Sequence, residues 1–163
     1  MPELDIRPDQ SIELLKALHI LTRDGKMNQD SRRKLKQVYH LLQFIEPLLQ
    51  QLAQYGHLIS LVDHGAGKSY LGFMLYDLFF KQRNDESHIY SIETRPELVD
   101  RAKQLANTLA FDRMSFLPLS VAESMNSPLL PTTIDMVTAL HACDTATDDA
   151  ISWGVNSISK HVI

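Results

Sequence analysis

The sequence predicts an α/β fold built on an open parallel sheet and preceded by a helical segment. Three observations carry this. Residues 57–163 alternate short apolar runs with stretches of helical periodicity, the pattern of repeated strand–helix–strand crossovers. Residues 1–56 show helical spacing alone. A turn containing Gly65 and Gly67 follows the first apolar run, where a strand of such a sheet must reverse into its helix. The chain is therefore divided into a helical segment over 1–56 and a sheet-bearing part over 57–163.

The elements follow in order. Residues 11–22 carry leucine and isoleucine at helical spacing, and Asp24-Gly25 stops them. Asn28 to Ser31 offer N-caps for a second helix, whose stripe is Leu35, Val38, Leu41, Leu42 and Ile45. Pro47 lacks an N–H, so a kink or restart is expected near Glu46, with Gly56 as the end. Residues 57–63 form the first strand, and 69–81 a helix. Residues 88–92 form the second strand. Thr94-Arg95-Pro96-Glu97 then reads as a capping box with Thr94 as N-cap. The helix behind it uses Leu98, Val99, Ala102, Leu105, Ala106 and Leu109. Further strands are expected at 114–117, 134–140 and 160–163, with a helix from Thr145 to about Ser159 between the last two.

Composition narrows the function. Lys and Arg number 16 against 20 Asp and Glu, a net charge of −4, which excludes a histone-like polyanion binder. A local basic patch remains open, and Arg32, Arg33, Lys34 and Lys36 form one. The single cysteine, Cys143, allows neither an intramolecular disulfide nor a cysteine zinc cluster, which points to a reducing, cytoplasmic setting with no metal. The apolar run 71–80 is broken by Asp77, so no membrane span is expected.

In an open parallel sheet, ligands bind beyond the carboxyl ends of the strands. Three ligand classes use a glycine turn there. A P-loop needs a glycine where this chain has Val62, so Gly67-Lys68-Ser69 does not complete one. A dinucleotide fingerprint needs a third small residue where Tyr70 stands. The remaining pattern puts an acid two residues before the first glycine: Asp63-His64-Gly65-Ala66-Gly67. It resembles motif I of class I S-adenosylmethionine-dependent methyltransferases. That resemblance implies that the acid bonds the cofactor's amino group while the loop passes under its methionine part.

The second strand ends Ser91-Ile92-Glu93, and a carboxylate there can accept both hydroxyls of an adenosine sugar, with Thr94 next to it in the cofactor set. After the third strand, Leu119-Ser120-Val121-Ala122 lies where the adenine would sit, so Ser120 and Val121 join the cofactor set. The stretch from Ala139 through His141, Cys143 and Asp144 to Asp148 follows the fourth strand. With the Asp63 turn and Ile92-Glu93, it is similar to the methyltransferase domain of several methyltransferase-like proteins, among them the glutathione-S-transferase-C-terminal-domain-containing protein. A more distant likeness is to acceptor-stem tRNA 2'-O-methyltransferases. The similarity spans roughly residues 35–163. It implies a Rossmann-like class I methyltransferase sheet and S-adenosyl-L-methionine as cofactor. His141 and Asp144 are then the candidates for a general base, if one is needed, with His141 also beside the cofactor.

Those families continue into a Pro-Cys-Cys segment and further strands, so the expectation is a sheet incomplete at its C-terminus. An exposed sheet edge would then favour a homodimer. The expected substrate is macromolecular, either an RNA (tRNA or rRNA) or a protein. The rival expectation is a non-catalytic module for cofactor binding or protein interaction. A nucleotide-driven switch, hinted at by Gly67-Lys68-Ser69, is not expected.

Overall fold

The structure is a computed structural model that describes residues 6–139 and 161–162. Helix α1 (Ile12–Ala17) is capped by Ser11, whose hydroxyl accepts the Leu14 N–H. It is shorter than its spacing predicts, because His19 adopts a φ of 56° and turns the chain. Leu18, Ile20 and Leu21 are nonetheless buried, so their spacing serves the packing of a turn.

Helix α2 (Gln29–Ala53) starts at Asn28, whose side chain accepts the Ser31 N–H. It runs through Pro47 as one helix of 25 residues, which corrects the expected restart near Glu46. Pro47 and Gln43, whose carbonyl loses its partner, both lie on the exposed face, so water can take that bond. Leu35, Leu42, Ile45, Leu49 and Leu52 form the buried stripe.

Strand β1 (Ser60–His64) leads into helix α3 (Tyr70–Leu78) and a short 3-10 turn at Phe80–Gln82. Asp77 does not interrupt this region. It is buried at 1% exposure and accepts the Ser11 N–H at 2.7 Å, which pins the start of α1 to α3. Strand β2 (His88–Ile92) has its expected bounds. Helix α4 (Pro96–Thr108) is capped at Arg95, with no side-chain cap bond, so Thr94 is not the N-cap. Pro96 occupies the first helical position and forces its predecessor into extended backbone, which fixes the boundary at Arg95. Strand β3 (Met114–Leu117), helix α5 (Val121–Ser124), strand β4 (Met136–Thr138) and strand β5 (His161–Val162) complete the described elements.

The strands form a sheet in the order β3-β2-β1-β4-β5, parallel at every pairing. The chain builds outward from β1 to β3, then crosses to the other side of β1. That reversal opens a crevice at the strand tips between β1 and β4. One face carries Leu61, Ile89, Met114 and Met136, in a single apolar cluster with Leu14, Leu35, Leu42 and Phe73. The helical segment is thus packed onto the sheet through α3. The other face carries Val62, Ile92 and Val137 against Val121, Leu130 and Ile134. Among the described residues no helix is long and apolar enough to cross a membrane.

Candidate functional site at the tips of β1 and β2

The turn behind β1 is held in place by backbone geometry. Gly65 and Gly67 sit at φ 61° and 59°, and Ser69 at φ 60°. A side chain at Gly67 would be strained by ~1–2 kcal/mol and would point toward the Arg95 guanidinium, 3.8 Å from its Cβ. The Ala66 N–H donates to the Ile92 carbonyl at 3.0 Å, and the Gly67 N–H to Glu93 Oε2 at 2.8 Å. The turn of β1 is therefore stitched to the tip of β2. Behind it, α3 approaches the sheet closely at Gly72, whose added Cβ would meet Ser91 Oγ at 3.3 Å. This is the small residue that a close strand–helix contact needs, two positions beyond Tyr70.

Register brings the two predicted acids together. Asp63 pairs with Ser91 on β2 and with Thr138 on β4. Side chains alternate along a strand, so Asp63, Thr138, Ser91 and Glu93 lie on one face. Glu93 still donates its N–H to the Leu117 carbonyl, so the extended backbone continues to it.

Their environments are opposite. Asp63 is 3% exposed and accepts a 2.6 Å bond from the Thr138 hydroxyl. Burial pushes its carboxyl up to about 7, partly offset by Thr138. Glu93 accepts the Arg95 guanidinium (Nε at 2.9 Å, Nη2 at 3.2 Å), the Arg95 N–H at 3.1 Å and the Gly67 N–H. These donors, the Arg95 side chain first, hold it down at about 2 despite its burial. His64 is fully buried, and that burial depresses its imidazole to about 4, leaving it neutral at pH 7.

The other predicted residues are placed as follows. Thr94 is exposed beside Glu93, its hydroxyl 3.4 Å from Oε1. Ser120 caps α5 in a reciprocal box: it accepts the Glu123 N–H and donates its own N–H to Glu123 Oε2 at 2.7 Å. Val121 is buried against Val62 and Ile92. His141, Cys143, Asp144 and the Thr145 cap lie outside the described residues. Sequence reasoning missed Thr138 and Arg95. Thr138 becomes visible only through the β1–β4 register. Arg95 carried a signal, a cation two residues after an acid at a strand end.

A sequence model described as "Methyltransferase domain" matches residues 33–163. The chain belongs to that methyltransferase-domain family. Among solved structures, it is similar to a precorrin-6y C5,15-methyltransferase from Geobacter metallireducens, at 14% identity and a TM-score of 0.52, over 64% of this chain and 51% of that one. It is also similar to a putative sarcosine dimethylglycine methyltransferase from Galdieria sulphuraria, at 18% and 0.50, over 72% and 43%. A third similarity is to the bifunctional kinase-methyltransferase WbdD, at 15% and 0.54, over 74% and 26%. The chain thus spans about half the length, or less, of these structures. No curated protein matches it. The fold is the class I methyltransferase fold, whose cofactor is S-adenosylmethionine. The donor set at the strand tips fits that molecule: a buried acid, Asp63, for a cationic group, and a second acid, Glu93, with two oxygens for a pair of hydroxyls.

Proposed function

We propose that this methyltransferase domain binds S-adenosylmethionine across the tips of β1 and β2 and passes its methyl group to a macromolecular substrate. The observation that carries the reading is the pair of buried carboxylates, Asp63 and Glu93, on one face of adjacent strand ends and joined by the Gly67 turn. Asp63 receives the cofactor's amino group, and Thr138 fixes one of its oxygens for that task. Glu93 receives the sugar hydroxyls, with Thr94 beside it. The backbone of His64, Gly65, Ala66 and Gly67 passes under the methionine portion. Ser120 and Val121 flank the base, the capping box presenting the backbone there in one conformation. The cofactor supplies an electrophilic methyl on sulfur. The protein's part is then alignment, with His141 or Asp144 as base where the acceptor must lose a proton.

The lone cysteine favours a cytoplasmic setting, and an outer strand edge of the sheet is where a second copy would add to form a homodimer. The test is calorimetry with S-adenosylmethionine and S-adenosylhomocysteine, followed by labelled-methyl transfer into total RNA and total protein. Micromolar binding of either nucleoside with labelled product supports the reading. Binding without product leaves the cofactor module. No binding of either overturns both.

A further inference from the structure

We propose that the N-terminal end of α2 is a docking surface for the phosphate backbone of an RNA substrate, set beside the strand tips. The inference rests on the methyltransferase reading above and names its substrate class. Between residues 22 and 40 the chain carries six basic residues against two acidic ones, although its net charge is −4. Arg33, Lys34 and Lys36 on α2 are exposed, Arg32 is half-buried, and Lys68 is exposed in the glycine turn itself. The one ion pair at this end, among the described residues, joins Lys34 to Asp30 at 2.8 Å. It neutralises a single cation and leaves the rest available.

Topology puts this charge where the chemistry lies. The chain enters β1 at the foot of the sheet, so the C-terminal end of α2 lies at the foot. Its 25 residues span ~37 Å against ~17 Å for the five of β1, so its N-terminal end reaches the level of the strand tips. Two contacts agree. Tyr70, the first residue of α3 after the glycine turn, donates its hydroxyl to the Leu18 carbonyl at 3.3 Å. Lys34, on the first turns of α2, is a near neighbour of Tyr70. The basic end of α2 and the glycine turn are neighbours.

Helix physics argues against a merely solvated face. The positive end of a helix dipole acts over the first turn, where acids stabilise and cations destabilise, and Arg32 closes that turn of α2. Arg32, Arg33, Lys34 and Lys36, four cations within the five residues 32–36, also repel one another. A surface without a ligand would place them at the other end of α2, whose last turn holds no basic residue. A polyanion offsets both costs. The acids elsewhere on the chain do not cancel the patch, because exposed charges beyond a Debye length of ~10 Å are screened.

The experiment measures anisotropy of a short labelled single-stranded RNA on the full chain, across salt concentrations, for wild type and Arg33→Glu/Lys36→Glu. Each phosphate contact to a single strand contributes about −0.7 to the salt slope, or about fivefold in affinity at ~0.1 M salt. The double variant is therefore expected to bind RNA at least ~25-fold more weakly, with a slope shallower by ~1.4, while its S-adenosylhomocysteine titration is unchanged. Arg33→Gln/Lys36→Gln, with neutral side chains, is expected to lose somewhat less. RNA affinity within about threefold of wild type in both variants overturns the proposal, as does a wild type with no salt-dependent RNA binding. Loss of label from acidic proteins with RNA binding intact assigns the patch to a protein partner and also overturns it. Failure of the wild type to bind the nucleoside, with patch-dependent RNA binding retained, removes the methyltransferase reading and supports the docking surface.

Discussion

The tips of β1 and β2 hold the same functional group in opposite electrostatic states. At β1, Asp63 is buried and accepts the Thr138 hydroxyl, and its carboxyl is pushed up to about 7. At β2, Glu93 is held down at about 2, because Arg95 and Gly67 surround it with N–H donors. Burial raises both carboxyls; at Glu93 the donors outweigh it, and at Asp63 the Thr138 bond does not. Thr138 stabilises the Asp63 anion in part, and an arriving cation would stabilise it further. Glu93 is an anion already, and a ligand must compete for it.

The comparison is broken most strongly at Asp63. Its folded-state value lies above its unfolded one, so the folded chain holds the proton more tightly from about pH 4 to 7. Stability from this residue is full below that window and falls as pH rises through it, by an amount on the order of 1.4 kcal/mol per unit of displacement. Asp63→Asn is expected to raise the melting temperature at pH 8, to leave it unchanged near pH 4, and to abolish nucleoside binding at pH 8, where the wild-type carboxylate is ionised. In the wild type, S-adenosylhomocysteine affinity should rise between pH 6 and 8 as the carboxylate forms. A flat profile removes Asp63 as the partner of the amino group.

Glu93 is expected to respond with the opposite sign. Its folded-state value is depressed, so its contribution is full above about pH 4.5 and is lost as pH falls toward 2. Glu93→Gln removes the charge from the bond to Gly67 and should cost ~2 kcal/mol at pH 7, with little effect at pH 2.5. Thermal melts at the two pH values check this. An equal loss at both would show that shape rather than charge holds the turn.

Much of this corner was legible in the sequence, and what was not has physical reasons. Alternating patterns located the strands because parallel strands buried on both faces are short and apolar. The bounds of β2 and β3 were read correctly since Ser87 and Pro118 delimit compact runs. The glycines marked the turn because its φ values favour them. Pro47 misled, because local propensity says what a proline removes but not that the freed carbonyl faces water. Thr94 misled in the same way: the capping-box spacing was present, but Pro96 sets the helix start one residue later. The partnership of Asp63 with Thr138 spans 75 residues and depends on a register that no local pattern encodes. Asp77 looked like an interruption, since its partner, the Ser11 N–H, lies 66 residues away.

The smallest expected effect lies at Arg95, and it separates two roles for the clasp on Glu93. A carboxylate oxygen offers two lone pairs. Oε1 takes the Arg95 N–H and Nε and, at 3.4 Å, the Thr94 hydroxyl, and Oε2 takes the Gly67 N–H and Arg95 Nη2. Two of the five donors are backbone, from Gly67 and Arg95, so sugar hydroxyls can replace only the guanidinium and the Thr94 hydroxyl. Arg95→Ala opens one acceptor position on each oxygen, the pattern that a vicinal diol requires. Adenosine and S-adenosylhomocysteine should then bind a few-fold more tightly, while 2',3'-dideoxyadenosine, which lacks the diol, should gain nothing. If Arg95 instead orients Glu93 for the sugar, the variant binds more weakly, and Arg95→Lys restores part of the loss. The direction of that change decides whether the guanidinium stands in for the sugar or positions its receptor.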